Sequence, residues 1–224
     1  MTAADPQGQV EHWLSAFEQI LTKGDIASAV SMFDADCYWR DLVSFTWNIT
    51  TAEGHPAVKD LLDHTLSRVK PSHWQIDGQA SHADGVTEAW FIFETGVGRG
   101  KGLVRLKGDK CWTLLTTLVE LKGFEEKKGA DRIAGAEHGA HPGRTTWAEE
   151  RAHEQAHLGY TEQPDVVVIG GGQGGIVLGA RLKRLGVSTI IIEKNPRPGD
   201  SWRNRYKSLC LHDPVWYDHL PYLP

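Results

Sequence analysis

A glycine-rich turn between two short apolar runs constrains the fold of this chain more than any other feature. The run DVVVI (165–169) precedes GGGQGG (170–175), apolar residues at helical spacing follow up to Gly186, and STIIIE (188–193) closes the segment. β-Branched runs of this length are typical of strands buried on both faces of a parallel sheet. The sequence therefore predicts strand, glycine turn, helix and strand, with an acidic residue at the end.

The spacing of the glycines indicates a dinucleotide site. Gly170, Gly172 and Gly175 satisfy G-x-G-x-x-G, in which they allow a tight turn, a close approach of a pyrophosphate and close helix packing, respectively. The phosphates would lie on free N–H groups at the helix start, and Glu193 would accept hydrogen bonds from ribose hydroxyls. Because glycine turns are common, a tight turn in another kind of α/β domain stays open as an alternative.

Composition excludes several classes of protein. The net charge is −5 and no basic block stands out, which argues against a nucleic-acid surface. The first residues, MTAADP, have neither the basic start nor the apolar core of a signal peptide, and no apolar stretch approaches the ~20 residues that span a bilayer. Cys37, Cys111 and Cys210 are far apart and odd in number. We therefore predict reduced thiols and a cytoplasmic protein.

The first 70 residues show helical periodicity. Apolar residues repeat from Val10 to Leu21, and the helix is predicted to stop near Gly24. Asp25 is predicted to cap a second, shorter helix, and a third begins after Gly54. The apolar faces of these two helices comprise Ile26, Ala29, Val30 and Phe33, and Val58, Leu61, Leu62, Thr65, Leu66 and Val69.

The strands predicted for this region follow the helices. Residues 37–41 are predicted to form a strand and residues 42–51 an irregular excursion; from Ser72 onward the period is two. The later strands are predicted around Trp74 and Ile76 and at 86–95, 101–107 and 110–122. Helices followed by antiparallel strands predict an α+β domain with helices packed on one face of a curved sheet. Roughly residues 8–124 resemble the nuclear-transport-factor-2-like (NTF2-like, or SnoaL-like) superfamily. The resemblance is carried by this order of elements, by the Gly24-Asp25 turn and by the aromatic-Arg-Asp end of the 33–41 segment.

The resemblance implies a cone-shaped domain that encloses a pocket. The side chains expected to line it are Tyr38, Trp39, Asp41, Trp47, His55 and Trp90. Some relatives are isomerases, cyclases or dehydratases, so Asp41 beside His55 is one candidate acid–base pair. In the interpretation that we favour, Arg40 pairs with Asp41 and the aromatic side chains fill the cone.

Residues 125–163 are predicted to form a linker with a polar helix at 146–158, anchored on one of the domains by Trp147. Four histidines lie here: His138, His141, His153 and His157. No cysteine accompanies them, so a surface helix is favoured over a metal site, and we predict no metal.

The loop after Glu193 narrows the choice of cofactor. Its residues fit the pattern E-K-x-x-x-x-G-x-x-W-x-x-x-Y, and the segment LHDPVWYDHLPY follows at 211–222. Both resemble the flavin-containing monooxygenase family, in particular its bacterial and fungal subgroup with an N-terminal NTF2-like domain. The fold class implied is an α+β NTF2-like cone (1–124), a linker (125–163) and the start of an α/β Rossmann-type FAD-binding domain (164–224).

By this resemblance, the chain uses FAD and NADPH to oxygenate a small organic substrate through a C4a-peroxyflavin. The glycine turn would hold the FAD pyrophosphate, Arg203 would pair with a phosphate, Trp202 would pack near the flavin, and Leu211 and His212 would approach its ring or ribityl chain. The implied cofactor-binding residues are Gly170, Gly172, Gln173, Gly174, Gly175, Glu193, Lys194, Gly199, Trp202, Arg203, Leu211 and His212. Without the resemblance, Trp202 is equally a core aromatic and Arg203 a surface ion pair.

The second glycine fingerprint, for NADPH, and the F-x-G-x-x-x-H segment of the family do not occur in this sequence. We therefore expect the N-terminal part of a longer enzyme, inactive alone, with its NADPH site beyond residue 224. No catalytic residue is predicted. We expect a small-molecule substrate, no nucleic-acid partner and no membrane span, with a homodimer as an open question. The alternatives are an NTF2-like ligand-binding or dimerisation module and an NTF2-like isomerase or dehydratase.

Overall fold

Two structural units divide the chain, Met1–Glu125 and Glu126–Pro224. The computed structural model describes residues 5–131, 139, 141–210, 212–214 and 216–221. Residues 126–163, expected as a linker, belong to the second unit in this division.

Three helices cover the N-terminal sheet: α1 (Pro6–Lys23), α2 (Ile26–Ser31) and α3 (Gly54–Val69). The Asp5 carboxyl caps α1 by accepting the Gly8 N–H at 3.0 Å, and Gly24 ends the helix in the left-handed conformation, with φ 71°. Asp25 caps α2, as predicted. The sequence places Phe33 on the second helix, but α2 ends at Ser31 and Phe33 begins the first strand, where it is buried opposite Cys111.

The N-terminal unit holds seven strands: β1 (Phe33–Leu42), β2 (Ile49–Glu53), β3 (Ser72–Ile76), β4 (Ser81–Ala83), β5 (Val86–Glu94), β6 (Gly98–Lys107) and β7 (Lys110–Leu121). They form one sheet in the order β2-β1-β7-β6-β5-β3, with β4 paired to β5. The predicted antiparallel pairing holds for β3, β5, β6 and β7. Three features were not predicted: β1 runs parallel to β7, β2 forms within the expected irregular stretch, and β4 is present.

Aromatic side chains fill the space between these helices and the sheet. The Trp39 ring stacks on Phe33 at 5.8 Å between centroids and meets Phe45 edge-on at 4.9 Å. Phe17 of α1 contacts both Trp39 and Trp74. Helices and strands therefore share one closed hydrophobic core, which confirms the α+β prediction for this region.

The second unit contains α4 (Trp147–His157), β8 (Val166–Ile169), α5 (Gln173–Arg184), β9 (Thr189–Ile192) and the short α6 (Asp200–Arg203), preceded by a 3-10 turn at Gly129–Asp131. The polar helix α4 is confirmed, with Thr146 and Glu149 forming a capping box. Trp147 does not anchor it: the side chain is 72% exposed. Among the described residues, no helix has the length and apolarity to cross a membrane.

Strand β8, the glycine turn, helix α5 and strand β9 follow one another along the chain, and β8 pairs in parallel with β9. This confirms the predicted order of strand, turn, helix and strand. The prediction that both strands are buried on both faces is wrong. Val168 is buried, but Ile169 is 81% exposed and Ile192 is exposed as well. In the described part of this unit the sheet has two strands, so each strand has one neighbouring strand. A single α-helix packed on such a sheet cannot cover both of its faces.

Candidate dinucleotide-binding site

The glycine turn has the geometry expected of a phosphate-binding loop. Gly170 has φ 103°, a conformation that side-chain-bearing residues rarely adopt. A Cβ placed on Gly175 would lie 1.9 Å from the Gly170 carbonyl oxygen, whereas a Cβ on Gly174 would meet nothing within 4 Å. Gly175 is therefore required for the start of α5 to pack against the end of β8, and the surface at Gly174 is open.

Helix α5 begins at Gln173 with an exposed set of backbone donors. Its N-cap residue is Gly172, and no side chain caps the helix. The first N–H groups of a helix have no partner within it and carry the positive end of its dipole. Together with the open face at Gly174, this start of α5 is suited to an anion.

Glu193 lies beside the glycine turn at the end of β9. Its Oε2 accepts the Gly171 N–H at 2.6 Å, and its Oε1 accepts the backbone N–H of Asn195 at 2.9 Å and the Asn195 side-chain amide at 2.5 Å. These donors, the Asn195 N–H first and then the Gly171 N–H, lower the pKa of the Glu193 carboxyl below its usual value. The group is therefore an ionised acceptor with a fixed orientation.

A cleft of about 500 Å³ opens next to the turn. Its walls are residues 171–173, Ile176, Gly199, Ser201, Trp202 and residues 217–220. The Ser201 hydroxyl in this wall is buried and makes no hydrogen bond, and it would lie 3.9 Å from a Cβ on Gly172. The volume is within the range of small-molecule sites, and an unsatisfied buried hydroxyl is the kind of group that a ligand or a water can complete.

The loop between Glu193 and α6 is held by an ion-pair cluster. The buried Asp200 carboxyl accepts from Arg203 at 2.9 Å and lies 3.1 Å from the Arg197 guanidinium. Arg203, with a smaller contribution from Arg197, lowers the pKa of Asp200. The Arg203 Nη1 also donates to the Pro198 carbonyl at 2.8 Å. Arg203 therefore fixes the loop that carries Gly199 and Trp202, and it is not itself part of the cleft wall.

Of the other predicted site residues, some line the cleft and some do not. Gly172, Gln173, Gly199 and Trp202 line the cleft, and the Arg205 guanidinium lies 4.9 Å from the centre of the Trp202 ring. Lys194 and His212 are exposed outside its wall, and Leu211 lies outside the described residues.

Sequence reasoning missed the parts of the wall that come from outside the G-x-G-x-x-G pattern. These residues are Ile176, Ser201, Tyr217, Asp218, His219 and Leu220. The aromatic-rich composition of 216–222 was the available signal, but it does not say which of its side chains face the glycine turn.

Asp41 and His55, the candidate acid–base pair of the N-terminal unit, do not bond to each other in the contacts of the described residues. Asp41 is fully buried and accepts hydrogen bonds from Ser44, Phe45, Thr46 and Thr116, whereas the His55 Nε2 lies 3.1 Å from the Phe33 carbonyl oxygen. The expected Arg40–Asp41 pair is also absent from these contacts, because Arg40 donates to Thr51 at 2.6 Å. Asp41 therefore organises the turn after β1.

The expected aromatic pocket is likewise filled or open to solvent. Trp39 lies in the packed core, whereas Tyr38, Trp47 and Trp90 are exposed. The six side chains expected around one cavity thus range from fully buried Trp39 and Asp41 to exposed Trp47.

The histidines of the second unit show no metal-binding arrangement. The rings of His153 and His157 stack at 4.1 Å between centroids on the exposed helix α4. In the ranges of the chain that the structure describes, no group of three or more His, Cys, Asp or Glu side chains could hold a metal ion. His138 lies outside those ranges.

Comparison with known proteins finds similarity in the C-terminal region. Residues 168–221 match the family model of the NAD(P)-binding Rossmann-like domain. The chain is 47% identical over 57 residues to an uncharacterized oxidoreductase named CzcO-like from Geobacillus kaustophilus, a match that covers 25% of this chain and 16% of that protein. It is 37% identical over 62 residues to indole-3-pyruvate monooxygenase YUCCA4 of Oryza sativa, covering 27% of this chain and 14% of that protein.

Solved structures show a weaker likeness. An NTF2-like protein with a cystatin-like fold from Novosphingobium aromaticivorans aligns with 52% of this chain and 83% of its own, at 11% identity and a TM-score of 0.41. A ketosteroid isomerase-like protein from Erwinia carotovora aligns with 53% and 99%, at 9% identity and a TM-score of 0.44. Because both scores are below 0.5, the N-terminal fold rests on the strand order and core described above.

Proposed function

We propose that this chain is part of a flavin-dependent oxidoreductase of the monooxygenase type and that residues 164–224 bind FAD. The observation that carries the proposal is a single local arrangement. A glycine turn, an uncapped helix start and an ionised Glu193 adjoin one cleft with a buried, unpaired hydroxyl. The similarity to a named oxidoreductase and a named monooxygenase supports this reaction class, although the matches cover only 14–16% of those proteins.

The residues present fit a dinucleotide. The backbone N–H groups from Gly172 to Gly174 would bind the pyrophosphate, since no side chain obstructs them. Glu193 would accept the ribose hydroxyls, with Gly171 and Asn195 holding its carboxyl in place. The Ser201 hydroxyl would gain the partner that it lacks.

When bound, FAD would supply hydride and oxygen chemistry that no side chain provides. The chain's own contribution is to bind and orient the cofactor. The Asp200 cluster fixes the loop that bears Trp202, and Ile176 and Leu220 contribute apolar side chains to the cleft wall. The substrate is proposed to be a small organic molecule, and NADPH the reductant.

The test is equilibrium binding of FAD, followed by quenching of flavin fluorescence and by the melting temperature. We expect FAD to bind and to raise the melting temperature, and NADPH alone to bind more weakly. Gly175→Ala should abolish binding, because its methyl group would overlap the Gly170 carbonyl. Gly174→Ala, with open space around its Cβ, should retain more of the affinity for FAD.

Absence of FAD binding by the unaltered chain would contradict the proposal for this polypeptide. Tighter binding of NADPH than of FAD would instead favour a nicotinamide site. Equal binding by the two alanine variants would exclude the glycine turn as the binding element.

A further inference from the structure

Residues 217–220 form part of the cleft wall. Tyr217, Asp218, His219 and Leu220 all line the cleft together with the glycine turn, whereas Glu193 does not. The cleft is therefore lined by the glycine turn but not by the acid that would hold the ribose, so it can take another part of the ligand.

The chemistry of the cleft fits a planar ring with a hydroxyl-bearing linker. Ile176, Trp202, Tyr217 and Leu220 supply apolar and aromatic surface, and His219 and Ser201 supply polar atoms. Aromatic and aliphatic side chains around a few placed polar groups are typical of sites for planar cofactors.

One ring nitrogen of the exposed His219 has a partner in the chain. Its Nδ1 lies 3.2 Å from the Trp216 carbonyl oxygen, which can only accept, so Nδ1 carries the proton in the neutral ring. The Nε2 atom is then an acceptor with no partner among the described residues, and it suits a ligand hydroxyl or ring N–H.

We propose that His219, supported by Tyr217 and Leu220, holds the redox half of FAD, by accepting a hydrogen bond from the ribityl chain or the flavin ring. This inference rests on the proposed function. The sequence pattern assigns the contact with the flavin ring or ribityl chain to Leu211 and His212, and we assign it to residues 217–220 instead. The adenosine half is assigned to Glu193 and the glycine turn.

The experiment compares two ligands on matched histidine variants by isothermal titration calorimetry. FAD contains both halves of the ligand, whereas ADP contains only the adenosine and the two phosphates. His219→Ala should weaken FAD binding about tenfold and change ADP binding by less than about twofold. His157→Ala is the control, because His157 makes the same kind of Nδ1 contact to a carbonyl, at 2.9 Å, on exposed helix α4. It should change neither affinity.

A second variant separates the hydrogen bond from a loss of local structure. His219→Gln keeps an acceptor near the Nε2 position, and we expect it to restore FAD affinity to within about threefold of the unaltered chain. Unchanged FAD affinity in His219→Ala, or an equal loss for ADP, would overturn the assignment of His219. If His219→Ala leaves FAD affinity unchanged while the unaltered chain binds FAD, this inference fails alone. If the unaltered chain binds ADP but not FAD, the FAD assignment fails with it and a nucleotide site remains; if it binds neither, the nucleotide site fails as well.

Discussion

The two units of this chain follow similar apolar patterns but bury them to very different extents. In the N-terminal unit, 24 residues form one buried hydrophobic cluster that joins α1, α3 and the sheet. In the described part of the second unit, Val168 is the single buried hydrophobic residue. Leu14 on α1 is 1% exposed and Leu178 on α5 is 46% exposed, although both lie on the apolar side of an amphipathic helix.

The difference shows what an apolar pattern can and cannot determine. A pattern selects which face of an element is apolar, but burial requires a second layer against that face. The seven-stranded sheet meets three helices in the N-terminal unit. In the described residues of the second unit, two parallel strands have no comparable cover, and a sheet this small is marginally stable alone. We therefore expect the second unit to depend on its ligand for stability.

The largest expected effect comes from deleting the same side chain in the two units. Leu14→Ala leaves a cavity in a closed core and should lower the free energy of unfolding by about 2–5 kcal/mol. Leu178→Ala removes a side chain that is half in solvent and should cost less than about 1 kcal/mol. Urea unfolding followed by near-ultraviolet circular dichroism measures both.

The pair of leucine variants is matched for helix propensity, because the residues exchanged are identical. Equal losses of stability would show that α5 is packed as closely as α1 and would remove the contrast between the units.

A smaller effect is expected from the buried carboxyl that organises the turn after β1. Asp41→Asn replaces one acceptor oxygen with a donor that faces the hydroxyl of either Thr46 or Thr116, and should lower the free energy of unfolding by about 1–3 kcal/mol. Asp60→Asn is the control: its side chain is exposed on α3, and the change should be within about 0.5 kcal/mol. A loss of enzymatic turnover in Asp41→Asn at unchanged stability would instead revive the isomerase alternative.

The sequence predicted those features that depend on neighbouring residues. The cap at Asp25, the end of α1 near Gly24, the polar helix at 146–158 and the glycine turn were all predicted, because each depends on local backbone chemistry. The helix faces also followed, since their period is fixed by the helix itself.

What could not be predicted depends on residues far apart in the chain. The parallel pairing of β1 with β7 joins segments more than 70 residues apart, and no local pattern specifies it. Asp41 was interpreted as a catalytic candidate because its type suggests acid–base chemistry, whereas Thr116, distant in sequence, satisfies it. The Tyr217 and His219 side of the cleft was missed for the same reason.

The most direct measurement is amide hydrogen exchange of the whole chain with and without FAD. Our assignment predicts that the amides of β1, β5, β6 and β7 are protected in both conditions. The amides of β8, β9 and the start of α5 should exchange rapidly without FAD and more slowly with it, together with residues 217–220. Strong protection of the second unit without FAD would contradict its dependence on a ligand, and exchange unchanged by saturating FAD would contradict the dinucleotide site itself.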